Sequence, residues 1–80
     1  SVAVDPSAQG RGIGRQLVQA GLELLRGQGV RTVKLEVRPD NEPAKHVYSS
    51  LGFREVGKSR DSQGHWTVMI AHLQQDPQSS

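Results

Sequence analysis

The spacing of apolar positions changes repeatedly along this chain, and each change marks an element. Val2-Ala3-Val4 is a short apolar run closed by Asp5-Pro6-Ser7, which reads as the end of a strand and a turn. From Gly12 the spacing becomes helical. Ile13, Leu17, Ala20 and Leu24, with Val18, Gly21 and Leu25 beside them, form a wide apolar face, while Arg15, Gln16, Gln19, Glu23 and Arg26 lie elsewhere. Gly27 and Gly29 end that helix, where the chain must turn left-handed. Thr32 to Val37 alternates strictly, with Val33, Leu35 and Val37 on one side and Thr32, Lys34 and Glu36 on the other, as a half-buried strand does. Strand–helix–strand implies a right-handed crossover, with residues 1–4 and 31–37 as parallel neighbours.

A second helix follows the loop Arg38-Pro39-Asp40-Asn41. Asp40 or Asn41 is its expected cap, and Pro43 falls in the first turn, where a missing N–H costs little. Ala44, Val47, Tyr48 and Leu51 share one face, and Gly52 ends the helix. Phe53 to Val56 begins a short strand, Arg60 to Gly64 is a polar hairpin connection, and His65 to Leu73 is an apolar strand carrying Trp66, Val68, Met69 and Ile70. The order is βαβαββ, an α/β arrangement with a mixed sheet and a C-terminal antiparallel hairpin. It reads as one domain over residues 1–73, with 74–80 as a flexible polar tail.

Composition narrows the chemistry. A chain of 80 residues buries only roughly 60–65% of its unfolded surface, and one Phe, one Trp and one Tyr leave an aliphatic core. There is no cysteine, hence neither a disulfide nor a thiolate metal site, and His46, His65 and His72 lack metal-ligand spacing. A net charge of +2, with the basic residues spread along the chain, does not make the concentrated basic face of a nucleic-acid binder. No apolar run approaches a membrane span. The expectation is a soluble cytoplasmic protein that uses no metal, nucleic acid or membrane.

The distinctive stretch is Gln9-Gly10-Arg11-Gly12-Ile13-Gly14-Arg15, glycines at alternate positions between a strand and a helix. Backbone N–H groups and the positive end of a helix dipole converge there, which suits a phosphate or pyrophosphate. A P-loop needs Gly-Lys-Ser/Thr, and Arg15-Gln16 stands in that place. The dinucleotide fingerprint needs a third glycine where Arg15 stands, although Glu36 lies at a suitable distance downstream. A plain strand-to-helix turn that uses glycine for its dihedral freedom is the remaining alternative.

Taken together, Val4-Asp5-Pro6, Gln9-x-x-Gly12-x-Gly14, Leu35-Glu36-Val37-Arg38, and Asn41-x-x-Ala44-x-x-x-Tyr48-x-x-Leu51-Gly52-Phe53 resemble the GNAT family of acetyl-CoA-dependent N-acetyltransferases over residues 1–73. Within it the chain looks most similar to the bacterial enzymes that acetylate ribosomal-protein N-terminal alanines. The resemblance implies the C-terminal half of an acetyl-CoA N-acetyltransferase fold. It implies that Gln9, Gly10, Arg11, Gly12, Ile13, Gly14 and Arg15 wrap the pyrophosphate of coenzyme A. Val2, Ala3 and Val4 would pair with the pantetheine arm through their main chain. Asn41 would bind the cofactor's amide chain or support the loop, alongside or instead of capping its helix.

Tyr48 resembles the family's general acid, which protonates the departing thiolate, and its plain reading is a core aromatic. A phenol can donate at neutral pH, which is what that step needs. Glu36 is the expected general base for an amine acceptor, twelve residues before Tyr48, and otherwise a solvated strand residue. The implied activity is acetyl transfer to a primary amine, a small molecule or a protein N-terminus. A catalytically incomplete acetyl-CoA-binding fragment or interaction module is the alternative. Complete members carry further strands and helices ahead of the position of Ser1. The sequence is therefore expected to be a fragment, one chain of a split enzyme, or a short homologue whose sheet a homodimer or a missing N-terminal half completes.

Overall fold

The computed structural model describes residues 11–74. The elements in chain order are α1 (Arg11–Gly27), β1 (Thr32–Val37), α2 (Glu42–Ser50), β2 (Arg54–Asp61) and β3 (Gly64–His72). The strand expected at residues 1–4, and with it the parallel pair, lies outside the described residues. The described strands form a sheet of order β1-β3-β2, with β3 antiparallel to both neighbours. The expected C-terminal hairpin is present. Its connection is shorter than the sequence suggested, because β2 runs on to Asp61 and pairs with Gly64, leaving Ser62-Gln63 as the turn.

Both helices end in the same way. At α1 the amide of Val30 donates to the carbonyl of Leu25 and that of Gly29 to Arg26, each at 3.0 Å. At α2 the amide of Phe53 donates to Tyr48 at 3.0 Å and that of Gly52 to Ser49 at 3.1 Å. This is the Schellman pattern, which requires a left-handed residue after the cap. Gly29 at φ 87° and Gly52 at φ 99° supply it.

The core lies on one side of the sheet. Val33, Leu35 and Val37 of β1 are buried with Met69 and Ala71 of β3, Tyr48 of α2 and Phe53. Val18, Leu22 and Leu25 of α1 pack against this cluster, as do Ala44 and Leu51. The helix face differs from the expected one. Leu17 and Leu24 are 62% and 65% exposed, and Leu22, outside the expected stripe, takes part in the packing. The reason is geometric: one strip at i, i+4, i+7 (Val18, Leu22, Leu25) meets the core, and the apolar arc of α1 is wider than that strip.

The opposite face of the sheet carries Thr32, Lys34 and Glu36 from β1, set beside His72, Ile70 and Val68 of β3. Strand β2 is exposed along most of its length and rich in charge, as suits an edge. Its register with β3 slips between Glu55 and Gly57, so Val56 is an extra residue, a β-bulge. A glycine in the middle of a strand, here Gly57, is the usual sequence mark of such a site.

Candidate functional site

Of the residues expected to hold a cofactor, Val2, Ala3, Val4, Gln9 and Gly10 lie outside the described residues. Arg11, Gly12, Ile13, Gly14 and Arg15 form the opening of α1, whose first residue is Arg11. The first N–H groups of a helix have no partner within it, and they carry the positive end of its dipole. The first turn of α1 contains no acidic residue. Arg15 leans toward the second helix, its Nε donating to Ser50 Oγ at 3.3 Å, and Ser50 in turn donates to the Val47 carbonyl at 2.6 Å. The Arg15 side chain thereby links the first turns of α1 to the end of α2.

Asn41 caps α2. Its Oδ1 accepts the amide of Ala44 at 3.2 Å, and its own amide donates to the Arg38 carbonyl at 3.0 Å. Pro43 sits in the first turn, as its missing N–H allows. Lys45 holds the preceding loop by donating to the Pro39 carbonyl at 3.0 Å, and it lies 3.2 Å from Glu42 and 3.9 Å from Glu55. The loop leaving β1 is thus fixed from both sides.

Tyr48 is 3% exposed and meets Phe53 edge to face, ring centroids 5.6 Å apart. It belongs to the core cluster, on the side of the sheet that the helices cover. Glu36 is exposed on the other side, since it alternates with buried Leu35 and Val37 on the same strand. The two expected proton-transfer residues therefore flank β1 from opposite faces. Strand β1 stands at one end of the described sheet.

Two features of the open face were not anticipated from the sequence. Ser59 Oγ on β2 donates to Glu36 Oε2, reaching across the intervening β3. Beside them Arg38 stands over the Trp66 ring, its Cζ 3.8 Å from the ring centroid, and its Nη1 donates to the His65 carbonyl at 3.3 Å. Trp66 Nε1 donates to Asp61 Oδ1 at 3.0 Å, and the same oxygen accepts the Gln63 amide at 2.8 Å. The Trp66 N–H first, and then the Gln63 amide, hold the Asp61 carboxyl below its ordinary range. Among the described residues there is no cluster of His, Cys, Asp or Glu that could hold a metal, and no helix is long and apolar enough to cross a membrane.

The model of the acetyltransferase (GNAT) family matches residues 1–53, and the chain belongs to that family. The [ribosomal protein bS18]-alanine N-acetyltransferase of Salmonella typhimurium is 42% identical over 77 residues, covering 91% of this chain and 52% of the relative. The N-alpha-acetyltransferase RimI of Mycobacterium tuberculosis is 52% identical over 60 residues, 75% of this chain and 36% of its own length. A mycothiol acetyltransferase from a Nocardioides species is 56% identical over 52 residues, which are 65% of this chain and 18% of the relative.

Among solved structures, the ribosomal-protein-S18-alanine N-acetyltransferase from Escherichia coli superposes with a TM-score of 0.73 at 32% identity, over 96% of this chain and 54% of that one. An AAC(6')-Ib structure in complex with an aminoglycoside and acetyl-CoA gives 0.70 at 29% identity, over 85% and 39% of the two chains. The chain thus spans about half the length, or less, of the relatives it matches.

Proposed function

We propose that residues 1–73 supply the acetyl-CoA-binding and proton-transfer half of an N-acetyltransferase acting on a primary amine. The observation that carries this reading is the placement of Glu36 and Tyr48 on the two sides of β1, at the end of the described sheet. A thioester seated along that end is within the compass of a base on one face and a phenol on the other.

The binding half of the reading rests on α1. Its first-turn N–H groups, with Arg15 tied beside them, suit the pyrophosphate of acetyl-CoA. Gln9 and Gly10 would complete that loop, and the main chain of Val2, Ala3 and Val4 would pair with the pantetheine arm. Asn41 keeps its cap with Oδ1, and its Nδ2 is suited to donate to a cofactor carbonyl.

In the chemical step, Glu36 takes a proton from the acceptor ammonium, which frees its lone pair. The amine nitrogen attacks the thioester carbonyl carbon, the new C–N bond forms, and the C–S bond breaks. Tyr48 gives its phenolic proton to the departing sulfur, and the second proton that the nitrogen sheds on becoming an amide restores the phenol. No covalent bond to the protein and no metal are needed. The names of the relatives, among them N-terminal alanine acetyltransferases, support a protein N-terminus as acceptor.

Calorimetry with acetyl-CoA, followed by a thiol-release assay with a peptide beginning in alanine, tests this on the intact protein. Saturable binding with peptide-dependent thiol release is expected. Binding without release from any amine leaves an acetyl-CoA-binding module, and absence of binding removes the proposal.

A further inference from the structure

Glu36 and Ser59 stand on strands that do not touch, and what brings their side chains together is the bulge in β2. Before the bulge, Glu55 pairs with Met69, on the buried face. After it, Gly57 pairs with Val68, Lys58 with Thr67 and Ser59 with Trp66. Val68 also pairs with Glu36 across the other ladder, so Gly57, Ser59 and Glu36 share the open face. Side chains alternate with period two, so a regular strand with Val56 itself paired to Val68 would turn every later residue to the other face. Lys58 would then stand opposite Trp66 on the side of Glu36, and Ser59 would point away.

The difference matters chemically. An ammonium beside Glu36 would pair with the carboxylate and compete with the acceptor's own ammonium for it. A hydroxyl can donate one hydrogen bond to one oxygen and leaves the charge in place. Ser59 Oγ donates to Oε2, and Oε1 has no partner among the described residues. Bulges recur next to active sites because they re-aim a side chain in this manner.

We propose that Ser59 is a positioning residue for Glu36: through the bulge at Val56 it holds the carboxylate by one oxygen and presents the other to the acceptor ammonium. This rests on the reading of Glu36 as the general base. Ser59 touches neither the amine nor the thioester, so its effect is on the orientation of the base and not on cofactor binding.

Steady-state thiol release from the intact protein, with acetyl-CoA and a peptide beginning in alanine, tests it in four variants. Glu36→Gln is expected to lose roughly 10²-fold or more in kcat, the usual contribution of a general base. Ser59→Ala is expected to lose about ten-fold in kcat, with KM for acetyl-CoA within about two-fold of the parent, as for a misplaced catalytic group. Ser59→Thr, which keeps the hydroxyl, restores most of that loss. The double variant Glu36→Gln/Ser59→Ala is no slower than Glu36→Gln alone, because Ser59 acts through a carboxylate that is already gone.

Full activity of Ser59→Ala beside a defective Glu36→Gln overturns the role of Ser59 and leaves the general base standing. Multiplying losses in the double variant do the same. Full activity of Glu36→Gln overturns the reading of Glu36 and this inference with it. Thermal melts that match the parent exclude a folding defect as the source of any loss.

Discussion

The backbone carbonyl of Tyr48 accepts the amide of Phe53, and the two rings meet edge to face at 5.6 Å. One local motif therefore ends α2 and sets the position of the phenol. The Schellman pattern commonly brings a hydrophobic contact between the residue after the left-handed one and the third residue from the helix end. Here that pair is Phe53 and Tyr48. The sequence Leu51-Gly52-Phe53 is in this sense part of the candidate site, although none of the three carries chemistry.

Gly52 is the hinge of that motif. At φ 99° a side chain is strained, although the space around it is open. Gly52→Ala should cost about 1–2 kcal/mol in denaturant unfolding, and Gly52→Asn less, since asparagine tolerates the left-handed region. Equal stability of Gly52→Ala and the parent would mean that the motif does not hold the end of α2.

Tyr48→Phe separates packing from chemistry. The ring contact with Phe53 is kept and only the hydroxyl is removed. Turnover is expected to fall by roughly 10²-fold or more, the usual contribution of a general acid, with affinity for acetyl-CoA unchanged by calorimetry. Unchanged kcat would reduce Tyr48 to a core aromatic.

Asp61 gives the hairpin a pH dependence whose sign is fixed by its partners. Hydrogen bonds from Trp66 and Gln63 favour the carboxylate, so its folded-state value lies below the unfolded one. The stabilisation is complete above the unfolded value of about 3.9 and is lost as pH falls through the lower folded value. Trp66 is the chain's one tryptophan, so its fluorescence reports the change. The acid transition is expected to have its midpoint below about pH 3.9 and to be absent in Asp61→Asn. A midpoint above that value would show that the Trp66–Asp61 contact does not form in solution.

Much of this arrangement was legible in the sequence because single residues carried it. The strict alternation of Thr32 to Val37 placed Glu36 on the open face, and the glycines after each helix placed the left-handed turns. The cap of α2 was legible as Asp40 or Asn41, and Asn41 takes it. Other features depend on relations between elements that are distant in the chain. Leu17 and Leu24 share a helical face with residues that pack, and only the width of the contact separates them from Leu22 and Val18.

Ser59 was missed because Arg54 to Asp61 has no apolar alternation to reveal its facing. Gly57 was the one sign of the bulge that turns Ser59 toward Glu36. The contact of Arg38 with Trp66 joins positions brought together only by the antiparallel pairing of β1 and β3.

The most direct test of acetyl transfer assisted by Glu36 is the pH dependence of kcat/KM for thiol release, compared between the parent and Glu36→Gln. With Glu36 as the base, the parent's rate rises with pH along an acidic limb, and the variant is slow with that limb flattened. Superimposable profiles of equal height would contradict the account.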